Sequence, residues 1–245
     1  MERDLSAVSS LRSLVARIRP VLGDGSQLLI ASHITQMILR TGSSLIVTRL
    51  LAPEAYGVIG IVISVAYILN MISDMGLRAY VIRHENGDDA AMQTVWTVRL
   101  IRNAVIFLIM LLFAGVFAEV YNAPHVTLAI RVYALFFLIE GFSSISVNLT
   151  ERNRGVVRLT VIEFVRFLVL TLTTIVAAYF LRSYWAIMTG MFAGSLFGLI
   201  SSYTMFKGPS MRFRLEPQHV RELWKFWRII IPSSIIGMMM MQANT

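Results

Sequence analysis

The sequence predicts an all-α protein: a polytopic transmembrane helix bundle made of a first six-helix lobe plus the start of a seventh span. Three observations predict it. Of 245 residues, 56% are hydrophobic and only 15% charged, with a mean hydropathy of +0.69; a soluble domain carries about 25% charged residues. The apolar residues fall in long runs without strand alternation, the pattern of spanning helices rather than of a β-barrel. The basic residues are distributed very unevenly between alternate connections, as the positive-inside rule requires.

The elements follow in chain order. In residues 1–27, Leu5, Val8, Leu11, Val15, Ile18 and Leu22 recur at helical spacing with Arg12, Arg17 and Arg19 among them. This predicts a cytoplasmic amphipathic segment lying on the membrane surface. Pro20 and the Gly23-Asp24-Gly25 turn separate it from the first span. Six spans are predicted at 28–50, 57–73, 93–118, 126–149, 161–181 and 184–204, so that the lobe covers 28–204. No signal-peptidase site follows the first apolar run, which therefore stays in the mature protein. A basic cytoplasmic loop, 205–227, comes next and is the only plausible boundary between lobes. Residues 228–245 are expected to form an incomplete seventh span, with a second lobe missing.

Orientation follows from Lys and Arg. With the N-terminus in the cytoplasm, fifteen of the 22 basic residues fall in inside segments; Arg49 and Arg182 alone fall outside. The outside loops are short and leave no room for a domain. Trp96, Tyr121, Tyr184, Trp185, Trp224 and Trp227 sit near predicted span ends, where interfacial aromatics belong. The absence of cysteine excludes disulfides and thiolate chemistry, and the four histidines lack metal-ligand spacing, so no metal or other cofactor is expected. The net charge of +8 and pI near 10.3 do not indicate nucleic acid, because the basic residues form no single patch.

Charges inside spans are costly and face a partner or a water-filled cavity. There are seven here: Arg40, Arg99, Arg102, Arg131, Glu140, Glu163 and Arg166. Arg40 lies near mid-bilayer, in a stripe with His33, Gln36, Ser43 and Ser44 that shares one helix face. The stripe reads as the wall of an aqueous cavity. The alternative is a buried pair of Arg40 with Glu140 or Glu163. Arg99 and Arg131 read as snorkelling, whereas Arg102, beside Asn103, fits either role. Glu163 and Arg166 are spaced to pair on one helix, and Glu140, near the middle of its span, needs a partner or a proton. Five arginines against two glutamates make a cationic cavity suited to an anionic substrate. The candidate substrate-binding residues are Arg40, His33, Gln36, Arg102, Glu140 and Arg166.

After the first span comes Arg49-Leu50-Leu51-Ala52-Pro53-Glu54-Ala55-Tyr56-Gly57, and after the second Ser73-Asp74-Met75-Gly76-Leu77. Pro53 and Glu54 suit a helix's first turn, Gly57 close packing, and Asp74 with Gly76 a helix end and turn. At this spacing the two segments resemble the polysaccharide transporter family, the Wzx-type flippases of the multidrug/oligosaccharidyl-lipid/polysaccharide exporter superfamily. The chain resembles the N-terminal half of such a protein. The resemblance implies a non-enzymatic transporter in the bacterial inner membrane, with two lobes around a central cavity. It implies an undecaprenyl-pyrophosphate-linked oligosaccharide as substrate. The partners implied are that lipid-linked oligosaccharide, membrane lipids, and a polysaccharide polymerase and chain-length regulator. No family motif assigns the cavity residues, so Arg40 rests on the sequence pattern alone. Alternatives are a drug or cation exporter of the same superfamily, a membrane enzyme, or a non-catalytic subunit of a synthesis complex. Gly190, Gly194 and Gly198 repeat every four residues and permit close helix contact within the lobe.

Overall fold

A computed structural model describes residues 25–73, 76–83, 88–152, 156–206, 208–225 and 227–228. The amphipathic reading of 1–27 and the seventh span at 228–245 lie almost wholly outside the described residues. Those described form helices without strands. In order they are α1 (Gly25–Leu50), α2 (Pro53–Ile72), α3 (Leu77–Arg83) and α4 (Asp89–Val120). A 3-10 turn (Pro124–Val126) leads to α5 (Thr127–Phe142), α6 (Ser146–Arg152), α7 (Val156–Leu181) and α8 (Trp185–Thr204). A last helix, α9, covers 217–225, with 227–228 also helical.

Five of these helices, counting α5 with its preceding turn, are long and apolar enough to cross a membrane: α2, α4, α5, α7 and α8. The chain is thus a multi-pass helical membrane protein. α1, read as a span from the sequence, has 26 residues. At about 1.5 Å per residue it is long enough, but its polar stripe keeps it out of the apolar set.

Local chemistry explains the ends. Pro53 opens α2 at its first position with Glu54 in the first turn, as the sequence predicts. Ser73 closes α2, its hydroxyl donating to Leu69 O at 2.7 Å. Asp88 caps α4, accepting from Ala90 N at 3.0 Å. Gly76 has φ +58°, which a glycine adopts at no cost. Gly57, expected to permit close packing, does not among the described residues: a Cβ there would meet none of them within 4 Å.

Two separate cores form along α4. Within the membrane layer, α2, α4 and α5 bury Val62, Met110, Ala114, Ala118, Ala129 and Ile130 together. Near the start of α4, a second cluster gathers Leu77, Tyr80, Val81, Met92, Trp96, Ile145, Leu223 and Trp227. Trp96 and Trp227 are therefore core residues, not the interfacial anchors their positions predict; Trp224 is exposed. α1 packs on α7, and α7 packs on α8 along the glycine face: an added Cβ at Gly190 or Gly194 would strike Leu170.

The fourth span is shorter than predicted. Helix α5 stops at Phe142 instead of continuing to 149, and α6 starts afresh at Ser146. Serine hydroxyls take over the backbone bonding at the break. Ser202 Oγ accepts from Ser144 N at 2.9 Å, and Ser144 Oγ accepts from Ser146 N at 3.1 Å.

The basic loop after α8 is not a free linker. Residues 208–216 run as a strap along the first turns of α4. Gln93 Nε2 donates to Ser210 O at 2.9 Å, and Arg214 N donates to Thr97 Oγ1 at 3.1 Å. Glu216 N donates to Thr94 Oγ1 at 3.3 Å, and Phe213 meets Trp96 edge-on at 5.3 Å. α9 then buries Leu223 and His219, with Asp88, Glu216 and Glu222 around the imidazole at 3.3–3.5 Å. Tyr80 Oη donates to Glu222 at 3.2 Å. Burial, and then the Glu222 carboxylate, push the Tyr80 phenol up to about 12. Arg78 forks onto Glu151, with Nε to Oε2 at 3.0 Å and Nη2 to Oε1 at 2.6 Å, tying α3 to α6.

Candidate functional site

The α5–α6 junction carries Glu140 and Ile145 into the space between the helices. A cavity of about 780 Å³ lies there, walled by α1, α3, α4, α5, α6 and α7. Five of the six residues expected to bind substrate line it: His33, Gln36, Arg102, Glu140 and Arg166. The sixth, Arg40, lines an adjoining cleft of about 790 Å³ between α1 and α7, together with Ser43 and Ser44. His33 and Gln36 belong to both, so the polar stripe joins the two spaces. Its opposite face carries exposed Ile38, Leu45 and Ile46.

The charges in the cavity are engaged very unequally. Arg166 lies 3.6 Å from Glu163 and 4.0 Å from Glu140. That bears out the pair expected on one helix and supplies the partner Glu140 needed. It also counts against the buried-pair reading of Arg40, since both glutamates face Arg166 instead. Arg102 lines the cavity, but its guanidinium is tied to α2. Nη2 donates to Asn70 O at 2.9 Å and to the Asn70 side chain, and Nε donates to Ser73 Oγ at 3.2 Å. It thereby satisfies one of α2's terminal carbonyls, that of Asn70.

Arg99 is the residue that sequence reasoning missed. Read as snorkelling, it instead points inward, lining both the main cavity and a recess of about 90 Å³ behind it. Its Nε and Nη2 are buried and donate no hydrogen bond among the described residues. Leaving two buried donor nitrogens of a cation unpaired is costly, and it sets this guanidinium apart from those of Arg102 and Arg166. Glu140 and Arg166 share the recess with it, as do Ser143, Ser144 and Asn148. Depth counting could not reveal this, because the α5 break decides where the neighbouring carboxylate sits. Among the described residues, no group of three or more His, Asp or Glu side chains could hold a metal ion.

Apolar helices long enough to cross a membrane, with charged side chains lining a cavity among them, define a multi-pass membrane protein. The chain belongs to a family described as polysaccharide biosynthesis protein, whose model matches residues 46–245. The segments at 49–57 and 73–77 pointed to that family. No curated protein and no solved structure matches the chain.

Proposed function

We propose that the chain is part of a flippase that moves an undecaprenyl-pyrophosphate-linked oligosaccharide across the bacterial inner membrane. It acts by alternating access and without covalent catalysis. The observation that carries the reading is Arg99, a guanidinium lining the cavity between the helices with two buried donor nitrogens that have no hydrogen bond among the described residues. Guanidinium forks match phosphate oxygens, and charge-assisted hydrogen bonds are the strong ones. The stripe of His33, Gln36, Arg40, Ser43 and Ser44 gives sugar hydroxyls a polar wall that continues along α1. Arg166, held by Glu140 and Glu163, and Arg102, held by α2, keep the cavity's shape rather than take the anion. The cytoplasmic N-terminus, a polymerase and a chain-length regulator as partners belong to the same proposal. A drug exporter for cations fits less well, because an unsatisfied buried arginine repels them.

The test is complementation of a flippase-deficient strain by the complete transporter. Arg99→Ala should let lipid-linked oligosaccharide accumulate in the cytoplasmic leaflet while the membrane level of the protein stays near normal. Arg99→Lys should retain part of the export, keeping the charge but losing the fork. Normal export by Arg99→Ala would remove the main support for the reading.

A further inference from the structure

The strap and α9 leave one face with no partner among the described residues. α9 buries His219, Leu223 and Trp227 against the second core. At i, i+3, i+4 and i+7 on its other side stand Arg221, Trp224, Lys225 and Arg228, all exposed. Trp224 is 60% exposed. The preceding strap adds Phe213, 73% exposed, Leu215 and Arg212 on the outside. Among the described residues no carboxylate joins this face: Glu216 and Glu222 turn toward Arg214, His219 and Tyr80.

The depth of this face follows from α4. Its 32 residues extend about 48 Å, against about 30 Å of hydrocarbon. The uncharged stretch 103–118, which ends just before Glu119, accounts for most of the hydrocarbon crossing. Residues 89–98 therefore reach beyond it into the headgroup layer. Gln93, Thr94 and Thr97, which hold the strap, are in that segment. A helix fixed at headgroup depth, with lysine, arginine and tryptophan outward, has the composition of an in-plane interfacial helix.

We propose that α9 is such a helix, and that its Arg221–Trp224–Lys225–Arg228 face binds anionic lipid headgroups of the adjoining leaflet. Trp224 lies at the boundary with the acyl chains. Each basic side chain near an anionic surface favours contact by about fivefold, and the strap's fixed geometry presents three of them together. The inference stands on the membrane reading and not on the identity of the transported molecule.

The test uses the full chain in nanodiscs of phosphatidylcholine with and without phosphatidylglycerol. The Trp224 signal is the difference in tryptophan emission between the chain and Trp224→Phe. Brominated phosphatidylglycerol should quench that signal at least about twofold more than brominated phosphatidylcholine. Replacing Arg221, Lys225 and Arg228 together by glutamine should equalise the two lipids without loss of helical content, because these side chains are exposed and outside the core. A Trp224 signal quenched by aqueous iodide and indifferent to both brominated lipids would overturn the proposal. So would equal quenching by the two lipids in the unmodified chain.

Discussion

Gly190 offers a perturbation whose size can be worked from distances. It lies where α8 crosses α7, and a Cβ built there would stand 2.7 Å from Leu170 O and 1.9 Å from Thr174 Oγ1. Thr174 is not a side chain that can swing freely, because its hydroxyl already donates to Leu170 O at 2.8 Å. The Leu170 carbonyl is backbone and cannot move without α7. Relieving the Leu170 carbonyl alone requires the helices to part by about 0.7 Å, a gap that forfeits a quarter to a half of each affected dispersion contact, and Thr174 must in addition give up its bond and turn away or the parting grows to about 1.5 Å. Overpacking of this kind costs about 1–3 kcal/mol, or roughly 2–4 °C per kcal/mol in a chain of this size. Gly194→Ala meets only the Leu170 side chain, at 3.1 Å, and should cost less. Gly115→Ala on α4 meets nothing within 4 Å and should be neutral or stabilising by up to about 1 kcal/mol. Thermal unfolding of the three variants in one detergent tests the order. A Gly190→Ala midpoint equal to that of Gly115→Ala would show that the α7–α8 contact is looser than described and would refute the reasoning.

On the proposed flippase reading, Arg40→Ala in the complete transporter should abolish export at near-normal protein level, and Arg40→Lys should impair it in part. Wild-type export by the alanine variant, or loss explained by degradation, would remove Arg40 from the substrate path. Reporter fusions at Asn86 and Gly208 should read cytoplasmic and one at Asn122 periplasmic; a periplasmic signal at Gly208 would overturn the charge argument. The raised Tyr80 pKa favours the neutral phenol in the folded state, so its contribution is complete below pH about 10. It is lost as pH rises toward about 12. Amide exchange over 217–225 should accelerate across that window in the native chain. Tyr80→Phe, which removes a hydrogen bond worth about 1 kcal/mol, should exchange faster at neutral pH and lack the alkaline step.

What the sequence revealed and what it hid divide along physical lines. Hydrophobic run length placed α2, α4, α7 and α8 within a few residues, because a span's length is set by the bilayer and not by neighbours. The His33–Ser44 stripe was legible because helical spacing alone puts its members on one face. The end of α5 was not. Gly141-Phe142-Ser143-Ser144 looks like a slightly polar stretch of span, and the break depends on Ser202, 58 residues later, accepting from Ser144 N. Trp96 was misread for the same reason: its position marks an interface, but the strap's Phe213 and α9's Leu223 cover it. The strap itself carries no periodicity, since its backbone bonds go to Gln93, Thr94 and Thr97 on another helix. Arg99 needed both facts, the α5 break and the packed cluster around Trp96, before its direction could be known.

The membrane-layer core and the core around Trp96 share one continuous member, α4, which contributes Met110 and Ala114 to the first and Met92 and Val95 to the second. A rod common to two packed bodies couples them as a lever. Over about 48 Å of helix, a tilt of about 10° at one end carries the other end through roughly 8 Å. A change of shape around the cavity would thus register at α3, the strap and α9 as a displacement wider than a phosphate group. Conversely, anything that grips α9 restrains the tilt of the helix that carries Arg99.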